Sequence, residues 1–219
     1  MKVYLVGGAV RDSLLGRRVH DRDYVVVGAT HEEMIEKGFT QVGAAFPVYL
    51  HPETKEEYAL ARTERKVGDG HKGFETFFSP DVTLEEDLSR RDLTINAMAQ
   101  DMVTGEVIDP FGGKHDLENM ILRHTTSAFM DDPLRILRLF RFKAQLGNSW
   151  TVNHETYGLA YNNRHRLAEI SPERKWKEME KALEGRNFMD YAYHLSVFGE
   201  LPELDSLRGV LQPEEHHPE

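Results

Sequence analysis

The sequence predicts an α+β fold, a mixed strand-and-helix region followed by an all-helical one. Three observations predict it. Short apolar runs bounded by turn residues alternate with short helical segments up to about residue 125. From Asp131 onward the apolar residues recur instead at helical spacing. The change between the two patterns divides the chain into residues 1–128 and 129–219. A chain of 219 residues is long enough for one sizeable core or two small domains.

The elements follow in order. Val3–Val6 reads as a strand that Gly7-Gly8 ends, and Ala9–Leu15 as a short helix whose N-terminus faces that glycine turn. Tyr24–Val27 is a continuous apolar run, the mark of a buried central strand. Thr30 and Glu33 form a capping box that opens a short helix to about Lys37. Pro47–Leu50 and Glu57–Ala61 read as two more strands, with a turn at His51–Lys55 between them. Val67–Gly73, rich in glycine and charge, reads as a mobile loop. A helix is expected from about Thr83, and Glu106–Ile108 as a further short strand. In the second region Leu134, Leu137, Leu139, Phe140 and Phe142 make an apolar helix face, with Arg135, Arg138 and Arg141 spaced by three beside it. Further helices are expected at about 153–163, 172–185 and 187–198, the second opened by Pro172 after Ser171. Residues 212–219 read as loop, and there is no internal repeat.

Composition narrows the class. Apolar content of 40% with 29% charged residues is ordinary for a soluble globular protein. No run of about 18 apolar residues is present, so no membrane-spanning helix is expected. The N-terminus lacks the apolar region and cleavage site of a signal peptide, which makes the cytoplasm the expected location. The absence of cysteine excludes disulfides and thiolate metal sites. A net charge of −10 counts against a nucleic-acid partner, but distribution matters more than the sum. Residues 199–219 carry six acids against Arg208 alone, while residues 135–143 carry Arg135, Arg138, Arg141 and Lys143 and no acid.

Four strings carry chemistry. Asp21-Arg22-Asp23 places two carboxylates one residue apart, and on a strand such a pair points the same way. Two parallel carboxylates are costly unless a cation neutralises them. A hard divalent ion, usually Mg²⁺, does so and brings a triphosphate with it. Gly7-Gly8 upstream lets a backbone turn approach a phosphate closely. A phosphate cradle followed by a carboxylate pair points to nucleotidyl transfer; the plain alternative is a solvated edge or turn. Arg90-Arg91-Asp92-Leu93-Thr94-Ile95-Asn96-Ala97 offers an arginine for a triphosphate, with Asp92 and Asn96 holding the loop or the sugar. It reads equally as a solvated helix start capped by Asp92 and Thr94. Asp109-Pro110-Phe111-Gly112-Gly113 is a rigid, structural turn. Asp132 and Arg135 share a face at a helix start, an acceptor beside a planar donor fork that can mimic a Watson–Crick edge. An N-cap with a surface ion pair is the alternative there.

Together these strings resemble the class II tRNA nucleotidyltransferases, the CCA-adding enzymes. They are closest to the bacterial branch, which shares its head with bacterial poly(A) polymerases. The resemblance runs from residue 1 to about 190 and rests on Gly7-Gly8-x-x-Arg11-Asp12, Asp21-x-Asp23, Glu57 to Arg62, the Arg90–Ala97 string, Asp109-Pro110, Asp132-Pro133-x-Arg135 and Glu173-Arg174-x-x-x-Glu178. It implies a polymerase β-like nucleotidyltransferase head with a small mixed sheet, followed by an all-α neck and body that selects the nucleotide and contacts tRNA. It implies that Asp21 and Asp23 hold Mg²⁺, with Glu57 as a third carboxylate beside them. Gly8 and Arg11 resemble nucleotide-binding positions of the first turn, and Arg91 the arginine that contacts ribose and triphosphate. Asp132 and Arg135 resemble the protein template that accepts CTP and then ATP, with Arg138 a further nucleotide contact. Arg90, Asp92 and Asn96 resemble supports of the loop, and Glu173, Arg174 and Glu178 a helix element that braces the template. The activity implied is addition of CCA to the 3′ end of tRNA.

The same pocket serves a poly(A) polymerase or an enzyme adding only CC or only A. A non-catalytic RNA-binding remnant and a small-molecule nucleotidyltransferase are the readings from further away. Asp131 stands where the family usually has Glu, a conservative departure. The bacterial relatives continue into further helical sequence, and often an HD-type domain, from a point that His217-Pro218-Glu219 resembles.

Overall fold

The computed structural model describes residues 1–42, 48–66 and 74–200. Within them the backbone forms two units, Met1–Asn119 with His124–Asp131, and Met120–Arg123 with the residues from Asp132 on. The first unit runs β1 (Lys2–Val6), α1 (Gly8–Leu14), β2 (Asp23–Val27), α2 (His31–Glu36), β3 (Thr40–Val42), β4 (Val48–Leu50), β5 (Glu57–Leu60), β6 (Arg62–Lys66), β7 (Phe74–Phe78), α3 (Leu84–Ser89), β8 (Ala99–Asp101), β9 (Val107–Ile108) and α4 (Gly113–Glu118).

Seven strands form one mixed sheet in the order β3-β4-β5-β2-β1-β8-β9. β2 lies in its middle, antiparallel to β1 and parallel to β5, as its continuous apolar run predicts. The period of two sends Tyr4, Val6 and Val25 to a core shared with Val82, Leu88 and Ala99. Val26 and Leu60 go to the other face, with Met34, Phe39 and Tyr49. Tyr24 and Tyr58 stack across the parallel pair at 4.4 Å. The capping box at Thr30 and Glu33 forms as expected, and a second closes between Thr83 and Glu86 at the start of α3. The expected loop at Val67–Gly73 lies outside the described residues, as do Pro47 and residues 212–219. Two features were not legible. β6 and β7 pair as a separate antiparallel hairpin, and three-residue β8 follows directly on the Arg90–Ala97 string. Arg62–Lys66 carries charges without alternation, so only its partner makes it a strand.

The second unit contains β10 (Ile121–Leu122), α5 (Leu134–Leu146), β11 (Thr151–Val152), α6 (His154–Asn162), α7 (Pro172–Leu183) and α8 (Phe188–Val197). The helices lie within a residue or two of the sequence expectation, with Asn153 accepting the N–H groups of Glu155 and Thr156 at the start of α6. Among the described residues, the departure from an all-α unit is the short parallel pairing of β10 with β11. No helix among the described residues is long and apolar enough to cross a membrane.

The basic run on α5 does not survive as a surface. Arg141 is buried and donates to Glu178 of α7 at 2.5 Å, and Lys143 donates to the buried Asp190 of α8 at 2.6 Å. Next to the second pair, His194 stacks on Phe140 at 4.2 Å, with its Nε2 3.8 Å from Asp190 Oδ2. Burial pushes the His194 pKa down to about 4; Lys143 adds to the fall and Asp190 opposes it. In the unfolded chain a histidine protonates near its ordinary value of 6.5. Between pH 6.5 and 4 the unfolded chain therefore binds more protons, and stability falls as pH falls through that window. We expect this group to lower the unfolding free energy by about 1–2 kcal/mol between pH 7 and pH 5. His194→Phe keeps a ring against Phe140 and should remove that share. Denaturant titrations at the two pH values check it, and an undiminished pH dependence in the variant refutes it.

Candidate active site

The site begins where β1 stops. Gly7 adopts φ of 70°, a conformation costly for residues with a Cβ, and turns the chain from β1 into α1. The ladder therefore ends at the pair Val6↔Asp23, which makes Asp23 the first residue of β2. On its other side Asp23 pairs with Glu57, the first residue of β5. Partners in register share a face, so these two carboxylates stand side by side at the paired ends of parallel strands. Asp21 lies before the strand rather than on it, which corrects the expectation of two carboxylates within one strand. Arg22 reaches Glu56 at 3.6 Å, away from the acids that flank it in sequence. Asp21, Asp23 and Glu57 line an open cavity of about 650 Å³, together with His20, Lys55 and Glu56.

Electrostatics single out Asp23. Desolvation against the cavity wall raises its pKa; the Arg91 guanidinium pulls it back and the charge of Asp21 pushes it up again. A carboxylate so placed gains from a cation. Among the described residues no group of three or more His, Asp or Glu side chains gathers tightly enough to enclose a metal ion. A pair of carboxylates completed by water and phosphate oxygens is, however, the arrangement Mg²⁺ commonly takes. The donor set of Asp21 and Asp23 fits that ion.

The arginines lie behind the glycine turn. Arg90 and Arg91 both donate to Asp87, at 2.8 and 3.2 Å. A Cβ on Gly7 would come within 3.0 Å of Arg91 Nη1, so that guanidinium lies against the turn. Arg11 is more heavily engaged, with Nε and Nη2 on Asp12 at 2.9 and 3.0 Å and Nη1 on Asn96 at 2.7 Å. Asn96 in turn donates to Asp92, which also accepts the N–H of Leu93. Asp92 and Asn96 are both buried, so they hold the loop. At Gly8 the nearest atoms to a built Cβ belong to the Arg11 guanidinium, the closest at 3.4 Å, an ordinary contact with a flexible side chain. Gly113 differs, since its Cβ would meet the Thr94 carbonyl at 2.4 Å. With Asp109 accepting the N–H groups of Gly113 and Lys114, the Asp109–Gly113 turn is structural, as its sequence suggested.

In the helical unit Asp132 accepts the N–H of Leu134 at 3.0 Å and receives Arg174 of α7 at 2.6 Å. Glu178, one turn further along α7, holds Arg141, while Glu173 is exposed at the start of that helix. Arg135 and Arg138 are both half-buried, and Arg138 lies 5.4 Å from the Phe142 ring centre. Sequence reasoning missed Asp87 and Glu56. Asp87 was within reach, because its spacing of three and four from Arg90 and Arg91 is the spacing of helical ion pairs.

A carboxylate edge at the end of a mixed sheet, beside a glycine turn that opens a helix, is the head of a nucleotidyltransferase. Residues 3–123 match the poly A polymerase head domain, and the chain belongs to that family. Among solved structures it is similar to a Bacillus stearothermophilus CCA-adding enzyme in complex with CTP, at 33% identity and a TM-score of 0.77 over 96% of this chain and 52% of that one. A Thermotoga maritima CCA-adding enzyme complexed with tRNA matches at 30% identity and a TM-score of 0.72, over 93% and 48%. A tRNA nucleotidyltransferase complexed with a primer tRNA and an incoming ATP analog matches at 31% identity and a TM-score of 0.70, over 93% and 59%. The mixed-sheet head followed by helices thus corresponds to the head and neck of class II enzymes, and the chain spans about half the length of these relatives.

Proposed function

We propose that this chain carries the catalytic head and the neck of a CCA-adding enzyme, transferring CMP and then AMP from CTP and ATP to the 3′ end of tRNA with release of pyrophosphate. The observation that carries the reading is the pairing of Asp23 with Glu57, with Asp21 in the same cavity and Arg91 near enough to act on the Asp23 charge. Asp21 and Asp23 would hold Mg²⁺, which when bound supplies charge neutralisation and a more acidic attacking hydroxyl. The chain's own part is to position and to bind. Gly8 and Arg91 meet the triphosphate, with Arg11 fixing the first turn of α1 beside it. Catalysis of this kind is positioning plus charge stabilisation.

Base choice falls to Asp132 and Arg135 of the helical unit, with Arg138 adjoining. A carboxylate has about four acceptor positions. Arg174 and the Leu134 N–H occupy some of them, leaving Asp132 oriented and still able to accept an exocyclic amino group. CTP and ATP offer that donor; UTP and GTP present a carbonyl there and leave the acceptor unpaired, at a cost of about 1–3 kcal/mol. Asp132→Ala should therefore weaken discrimination against UTP and GTP by roughly tenfold or more while slowing chemistry less. Competition assays with nucleotide pairs measure this, and unchanged discrimination removes Asp132 from the role.

The test of the whole reading is incorporation of each nucleotide, alone and as CTP with ATP, on tRNA ending at the discriminator base, at C and at CC. Two additions of C and one of A, then arrest, support it. The matched family favours one second reading, a poly(A) polymerase, which would leave a long A tail in the same assay.

A further inference from the structure

We infer that Asp87, a side chain with no assigned part in the reaction, is the positioning residue that holds Arg91 in its nucleotide-binding orientation. The inference rests on the reading of Arg91 as a triphosphate contact.

Asp87 lies in α3 with no solvent exposure. A carboxylate so placed is expensive unless ionic partners and hydrogen bonds satisfy it. Asp87 has both, and they are divided between its oxygens. Oδ1 accepts the backbone N–H of Arg62 at 3.2 Å and the Arg90 side chain at 3.2 Å from Nε and 2.8 Å from Nη2. Oδ2 accepts Arg91 Nη2 at 3.2 Å. The neighbouring arginines pull the Asp87 carboxyl below the usual range in spite of its burial, so it stays charged at neutral pH. One oxygen thus ties the stem of the β6–β7 hairpin to Arg90, and the other is given to Arg91.

The way Arg91 is held suits a residue kept for a ligand. Nη2 bonds Asp87, the buried Nε has no hydrogen-bond partner among the described residues, and Nη1 lies against the Gly7 turn. An arginine with purely structural work would be expected to have its donors met within the fold, as those of Arg11 are. Free in solution, the side chain would also have a second choice. Asp23 attracts the same charge, since Arg91 lowers the Asp23 pKa. A guanidinium drawn onto Asp23 would neutralise the carboxylate a cation needs and vacate the place of a phosphate. Asp87 competes for Arg91 and so holds it with Nη1 against the Gly7 turn. Ordering the arginine beforehand also removes rotamer entropy from the cost of binding.

The test is a double-mutant cycle of Asp87→Asn and Arg91→Ala, read as CTP affinity by equilibrium titration without primer, with a thermal melt of each protein. We expect Asp87→Asn to weaken CTP about tenfold, the size of one charge-assisted contact, in a protein still folded at the titration temperature. In the Arg91→Ala background the same change should have no further effect on affinity, whereas a general structural defect would weaken both backgrounds alike. Asp87→Glu keeps the charge and should restore most of the affinity, and Asp87→Ser, which removes the charge as the amide does, takes the place of Asp87→Asn in the cycle if that variant does not fold. Full CTP affinity in a folded Asp87→Asn protein whose Arg91→Ala counterpart binds weakly overturns the inference alone. Full affinity in Arg91→Ala overturns it together with the reading of Arg91.

Discussion

Asp23→Asn should lower nucleotide incorporation by roughly 10³-fold or more while leaving the protein folded, with a melting temperature equal to or slightly above that of the parent chain. The rate follows from removing one of two carboxylates on which a cation and the triphosphate depend. The stability follows from the sign of the pKa change. Desolvation and the charge of Asp21 raise the Asp23 pKa, so the folded state favours its protonated form. A group raised in this direction helps stability at low pH, and that help is lost as pH rises through its folded-state value. At neutral pH the ionised carboxylate works against the fold, and the amide removes the penalty while keeping the shape. Single-turnover incorporation on tRNA ending at C, beside a thermal melt at pH 7, measures both. Near-normal incorporation refutes the assignment; a melting temperature depressed by many degrees would attribute the lost rate to unfolding instead.

What could be read from the sequence, and what could not, divides along the same line as local and non-local structure. Thr30 with Glu33, and Ser171 with Pro172, mark their helices because capping is decided within four residues. The Tyr24–Val27 run announces a central strand because only burial on both faces tolerates it. The side-by-side placement of Asp23 and Glu57 is different. It depends on parallel pairing across 34 positions of sequence, and only the family resemblance, not any spacing, brought Glu57 into consideration. The arginines of α5 show how a local pattern can mislead. Residues three apart on a helix step back about 60° each time, so Arg135, Arg138 and Arg141 sweep through about 120° rather than forming one stripe. Arg141 consequently ends in the interior against Glu178, while Arg135 and Arg138 stay half-buried. Asp87 was legible by spacing but not by role, because its burial is set by how α3 packs on the sheet.

The Arg141–Glu178 pair carries the largest expected effect on stability. Both side chains are over 90% buried, and the guanidinium also donates to Gln145 at 2.7 Å and lies 4.1 Å from the Phe142 ring centre. Removing one partner leaves a buried charge without its counterion, which typically costs about 3–5 kcal/mol. Glu178→Gln should therefore lower the melting temperature by roughly 10 °C. Replacing both residues by Met removes the two desolvation costs together and keeps side chains that can fill an irregular gap, so most of the loss should be recovered. That double variant also separates bracing from reading. α7 carries Glu178 to Arg141 and Arg174 to Asp132, so the pair fixes α5 against α7 one turn from the contact that orients the proposed template. If its work is to brace, the Met–Met protein regains stability and, with Arg174 still on Asp132, retains its preference for CTP over UTP. Recovered stability with lost base choice would show instead that Asp132 needs the charge of the buried pair and not only the packing it secures.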